Sequence, residues 1–221
     1  MIRRHPRSTL FPYTPLFRSG IGAAVVWMGV KNGIEWINKI FLPLLFLLLG
    51  FLAYKAINLH GGKEGMDYLL FRFRAEDLTN PVLWLEAFSQ SAWSTGAGWG
   101  LWLTYAIYIR NDDKMVSNST IVGIGDYVAA ILAGLVVIPT VFATVQSTAL
   151  RSEILEKSDN QGLVFNHMVN LFENLPGGGS RWLGLAFFTA LFLAALTSLI
   201  AMLELGVRTL MDAGMTRKKS V

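Results

Sequence analysis

The sequence predicts an all-α protein, a polytopic bundle of membrane helices, and three observations carry that prediction. The 221-residue chain is 53% hydrophobic and only 15% charged, against about 25% charged in soluble domains. Its apolar residues fall in long blocks rather than amphipathic stripes, as in helices that meet lipid on most sides. One block, Leu83 to Arg110, is long enough to span a bilayer yet reads Ser94-Thr95-Gly96-Ala97-Gly98-Trp99-Gly100 in its middle. The pattern gives about four spans plus the tail of another.

That interrupted block organises the rest. Gly96, Gly98 and Gly100 oppose a continuous helix, since each costs about 1 kcal/mol against alanine in a helix interior. In hydrocarbon, a backbone group freed from the helical ladder needs protein or a polar cavity to satisfy it. The break therefore predicts a cavity at membrane depth. One half-helix would turn its carbonyl end into it and the other its N–H end, a place for a cation and a polar solute. The alternative is a glycine-rich notch for a neighbouring helix.

Taken from the start, residues 1–19 share no pattern with the remainder of the chain. Thr9 to Ser19 reads TLFPYTPLFRS, which resembles, with one substitution, the translation of a short-read sequencing adapter. Segment 1–19 is read as a sequencing-adapter artefact, and 20–221 as a fragment whose upstream sequence was lost. Pro6, Pro12 and Pro15 deny it the apolar core of a signal peptide; a genuine basic, proline-rich arm is the alternative. The formal net charge of +4 equals Arg3, Arg4, Arg7 and Arg18, which leave a balanced remainder. No nucleic-acid partner is expected on that balance. The absence of cysteine removes disulfide and thiolate chemistry.

Gly20 to Lys31 is apolar but too short to span, and Asn32-Gly33 is a turn signal. Ile34 to Leu59 is the cleanest span, able to tolerate Pro43 and Gly50. His60 to Asn80 reads as a polar loop, after which Asn80 caps the interrupted block and Pro81 occupies its first turn. Ser119 to Ala143 is the next span, with Asp126 inside it. Thr144 to Ser180 is a second long loop, with short helices around 148–157 and 161–174. The last span runs from Arg181 to about Met211, before the basic tail Arg217-Lys218-Lys219. A basic tail favours the cytoplasm, which puts both long loops outside.

The order of these pieces resembles the neurotransmitter:sodium symporter family, sodium-coupled carriers with the leucine-transporter fold. The resemblance rests on Lys31-Asn32-Gly33-Ile34-Glu35, on Asn80-Pro81-Val82-Leu83-Trp84 with Gln90, and on Gly98-Trp99-Gly100 with Leu103-Thr104-Tyr105. It continues through AAILAGLVVIP and Ala194-Ala195-Leu196-Thr197-Ser198 to Glu204. It implies a partial leucine-transporter fold, from the end of helix four through helix eight, whose other helices are missing partners. It implies a bilayer-embedded protein, in a prokaryotic plasma membrane, that moves an amino acid or similar small solute with co-transported sodium by alternating access.

By position, the resemblance places Trp93, Ser94, Gly96, Trp99, Ser198 and Met202 around the substrate. Sodium would meet Ser94 at one site, and Ala194, Thr197 and Ser198 at a second. The last three sit at i, i+3 and i+4, on one helical face. Their bland alternative is hydroxyls bonded back to carbonyls one turn earlier. Where the family has an asparagine at the first sodium site, this chain has Gly125. Asp126 is adjacent, but one helical residue is about 100° of rotation, so it is not a simple substitute. An acid within a span is costly and by default functional, and the resemblance implies that Asp126 replaces a chloride requirement; the alternative is a carboxylic acid hydrogen-bonded to a neighbouring helix. Glu204 is expected to bond structurally to the missing helices, with coupling or gating as the alternative. An enzyme such as an intramembrane protease is not expected, because the spans contain no histidine. A non-transporting sensor or assembly subunit of the same fold is the alternative function.

Overall fold

The computed structural model describes residues 13–72, 74–109, 114–157, 172 and 180–221. Its elements, in order, are α1 (Tyr13–Trp27), a π turn (Val30–Ile34), α2 (Glu35–Ile57), α3 (Gly62–Phe71), a 3-10 turn (Ala75–Thr79) and α4 (Pro81–Ser94). A second 3-10 turn (Ala97–Trp99) leads to α5 (Leu101–Ala106), α6 (Met115–Thr144), α7 (Thr148–Lys157), α8 (Ser180–Asp212) and α9 (Arg217–Ser220). Among the described residues there is no strand. The all-α expectation holds.

Three helical stretches are long and apolar enough to cross a membrane: Val30–Ile57, Met115–Thr144 and Arg181–Asp212. The fourth expected span is not a single helix: it consists of the 14-residue α4 and the 6-residue α5, neither long enough to cross a bilayer alone. The helix at 148–157 is found as α7. The one expected around 161–174 lies outside the described residues except for Phe172. Helix α1 begins at Tyr13, inside the segment read as adapter, while residues 1–12 lie outside the described set.

The chain forms two compact units, Pro43–Phe192 and Met1–Leu42 with Leu193–Val221. The core of the first is Leu52, Ala53, Val136, Val141, Val145, Ile154, Phe172, Phe187 and Ala190. Its construction corrects the sequence reading of 60–80, because α3 occupies half of the supposed loop. Gly65 lets that helix lie directly on α6: a Cβ there would come within 2.6 Å of the Pro139 Cα. Beside Pro139, which cannot donate to the ladder, Thr140 Oγ1 donates to the Val136 carbonyl at 2.6 Å.

In the second unit, α1 packs on α8 through Gly22, where a Cβ would stand 2.9 Å from Leu203 Cδ1. The Asn32-Gly33 turn becomes the π turn, and Gly33 is required there because a Cβ would meet the Val25 carbonyl oxygen at 2.0 Å. Val26, Ile200 and Glu204 are fully buried. Arg217 of α9 donates through Nη2 to Glu204 and through Nε to the Val26 carbonyl at 3.0 Å. Glu204 was expected to seek helices outside this chain; here it has a partner 13 residues away.

Candidate substrate and cation site

Asn80 and Pro81 start the interrupted helix as the sequence predicts. The Asn80 Oδ1 accepts the Val82 N–H at 3.0 Å, and Pro81 takes the first turn, where its missing N–H costs nothing. The helix runs regularly to Ser94 and stops. Gly96 has φ 76° and Gly100 has φ 77°, a left-handed conformation that favours glycine. Between them lies the 3-10 turn, and α5 resumes at Leu101. The predicted break is therefore real, and it is made by two glycines at its edges. Gly98, the middle one, has no positive φ.

The break rearranges backbone bonding. The Gly96 carbonyl accepts both Trp99 N–H at 3.2 Å and Leu101 N–H at 3.3 Å. The Thr95 carbonyl accepts the indole N–H of Trp102 at 3.0 Å. Trp93 and Trp99, both predicted to face the solute, meet edge to face with ring centroids 4.3 Å apart. Such a pair is worth about 1 kcal/mol beyond its buried area, so the two indoles hold each other across the turn. Trp93 keeps 62% of its surface exposed.

Across from the break stands Asp126 of α6. Ser94 Oγ donates to Asp126 Oδ2 at 2.8 Å, and Ser91 Oγ shares a 3.2 Å hydrogen bond with the Tyr127 hydroxyl. Ser91 and Ser94 are three residues apart on α4 and therefore share a face. Adjacent residues of α6 answer them. The offset of about 100° from position 125 makes Asp126 no simple substitute for a residue there, and in the structure its carboxylate is turned to Ser94. A side chain that reaches sideways meets Ser94, while a Cβ on Gly125 would find nothing within 4 Å. Ser91 and Tyr127 were missed by the sequence; the signal was the matching pair of polar neighbours, two on each helix.

The other predicted positions lie on α8, in the second compact unit. Thr197 Oγ1 donates to the Ala194 carbonyl at 2.9 Å. This is the bond back to a carbonyl one turn earlier that stands as the alternative to a cation site; a hydroxyl that donates to a carbonyl still has lone pairs for a cation. Ser198 is exposed and follows on the same helix. Met202, also exposed, borders a cavity of about 470 Å³ with Ala23, Val26 and Leu203. Ser94 with Asp126, Trp93 with Trp99, and Ala194 with Thr197 are the predicted groups that the fold brings together.

Residues 18–220 match the model of the sodium:neurotransmitter symporter family. An uncharacterised sodium-dependent transporter of Methanocaldococcus jannaschii is 34% identical, over 91% of this chain and 41% of that protein. A second, from Bacillus subtilis, is 29% identical over 89% of this chain and 41% of its own length. The sodium-dependent nutrient amino acid transporter 1 of Drosophila melanogaster is 27% identical over 80% of this chain and 28% of its own length. The chain therefore spans about two fifths, or less, of these relatives. With the interrupted helix, the three apolar spans and a match over nearly its whole length, the chain belongs to the sodium:neurotransmitter symporter family, a family of transporters rather than enzymes.

Proposed function

We propose that this chain carries the central part of a sodium-coupled symporter for an amino acid or similar small zwitterion, working by alternating access. The observation that carries the proposal is the interrupted helix with its Ser94–Asp126 pair. A half-charged, half-neutral oxygen pair beside a glycine break suits a hard cation, which takes carboxylate, hydroxyl and carbonyl oxygens. Asp126 would take over the part played in the family by the asparagine that Gly125 replaces. Trp93, Gly96 and Trp99 would then border the solute. Helices outside this chain would complete the pocket.

The second cation site would use the Ala194 carbonyl with the Thr197 and Ser198 hydroxyls, a neutral set. The amino-acid reading draws on the name of the insect relative. Sodium would act by stabilising the occluded state, because only differential affinity for one state shifts the equilibrium. The test is sodium dependence of uptake in a full-length transporter carrying this segment. Thr197→Val with Ser198→Ala should raise the sodium concentration for half-maximal uptake about tenfold, as expected for losing roughly 1.4 kcal/mol of ligation. An unchanged sodium curve at normal expression would leave these hydroxyls a structural role only.

A further inference from the structure

At the far end of α6 lies a cavity of about 740 Å³ that the transport site does not use. Phe142 is 16 residues beyond Asp126, about 24 Å along a helix. It stands two residues before the end of α6 at Thr144, where a spanning helix reaches the membrane–water boundary. Tyr68, Arg72, Arg74, Phe142, Arg151 and Leu155 line the cavity. Among the described lining residues, every charged side chain is an arginine.

Two of these arginines, Arg72 and Arg151, are held in place. The Arg151 guanidinium lies 4.2 Å from the Phe142 ring centroid, and that of Arg72 lies 5.2 Å from the Tyr68 centroid. The two rings pack on each other at 5.3 Å. Arg151 also donates through Nη2 and Nε to the Val145 carbonyl, at 2.9 and 3.3 Å. Two stacked cations are thus mounted on one aromatic pair, which lowers the ordering cost of closing on an anion. The neighbouring carboxylates compete weakly. Glu64 is 4.0 Å from Arg151 and Asp77 is 3.7 Å from Arg74, both beyond hydrogen-bond length, and both acids are half or more exposed.

We propose that this cavity binds a phosphate-bearing anion, gripped by Arg72, Arg74 and Arg151. Planar guanidinium forks match phosphate oxygens. Several arginines converge here, more charge than a single carboxylate would balance, and the Tyr68, Phe142 and Leu155 walls suit the glycerol or acyl part of an anionic phospholipid. A phospholipid headgroup and free phosphate share this chemistry, and the two arms of the test separate them.

The 221-residue chain is reconstituted in phosphatidylcholine nanodiscs with and without phosphatidylglycerol, and lipid retained on release into the gas phase is counted by native mass spectrometry. In the second arm, inorganic phosphate is titrated into the phosphatidylcholine-only discs by calorimetry. Selective retention of phosphatidylglycerol, or saturable phosphate binding, is expected in the wild type. Arg72→Gln with Arg74→Gln should reduce it at least fivefold. If that double variant melts earlier than the wild type, Arg74→Gln alone serves, since this side chain is 79% exposed. Lipid binding alone would make the site a headgroup site, and phosphate binding a solute site. Binding of neither ligand, or equal binding by a folded variant, would overturn the proposal.

Discussion

Replacing Asp126 by asparagine keeps the side chain's size and an oxygen acceptor for Ser94, but removes its charge. The Ser94–Asp126 bond is 2.8 Å long, and a hydrogen bond to a carboxylate in its charged form contributes about 1.5–3 kcal/mol. A cation on the same carboxylate gains more in Coulomb energy, roughly 4 kcal/mol at 4 Å and an effective dielectric of about 20, then loses part of it to dehydration. A net loss of about 1.5–3 kcal/mol raises the half-saturating sodium concentration roughly ten- to hundredfold. Ser94→Ala removes only a neutral oxygen, about 1 kcal/mol, or roughly fivefold. Because Ser94 also orients the carboxylate, the two changes should be less than additive in a double-mutant cycle. The assay is sodium-titrated uptake into proteoliposomes by the full-length carrier, with expression and melting temperature as controls. A sodium requirement unchanged within twofold in Asp126→Asn would refute the reasoning.

Other outcomes rest on the packing. Gly96→Ala should lower thermal stability in detergent more than Gly100→Ala. Both incur the left-handed cost of about 1–2 kcal/mol, but only at Gly96 would the Cβ also meet Leu101, at 2.7 Å; equal melting shifts would contradict this. Gly65→Ala should loosen α3 from α6, costing about 1–3 kcal/mol, read as faster amide exchange in 62–71. Arg217→Ala should destabilise by about 1.5–3 kcal/mol, because it removes a charged donor from the buried Glu204 carboxylate. Arg217→Ala with Glu204→Leu should recover most of that loss, and a failure of rescue would deny the pair its structural role.

The break in the central helix was legible because glycine acts locally, through φ, and needs no partner to declare itself. The Asn80-Pro81 start was legible for the same reason. Helix α3 was not, because Gly62 and Gly65 read as loop signals in isolation. Both are there for close approach, Gly62 to the Ala56 carbonyl oxygen and Gly65 to Pro139, and the second of these partners is distant in sequence. Asp126 was visible as a costly acid in a span, but its partner was not. Helical offset says where a Cα lies, whereas a carboxylate contact depends on how α4 and α6 cross. The partner of Glu204 was not legible, because the basic tail looked like a topological signal and nothing local marks Arg217 as the residue that folds back.

The most direct measurement of the central proposal is uptake driven by an imposed gradient. A full-length transporter containing this segment, in proteoliposomes, would be offered radiolabelled amino acids under an inward sodium gradient and, separately, under a matched choline gradient. The expected result is accumulation above the choline level that collapses when a sodium ionophore dissipates the gradient. Equal accumulation under both cations, in protein shown to be folded and inserted, would contradict sodium-coupled transport.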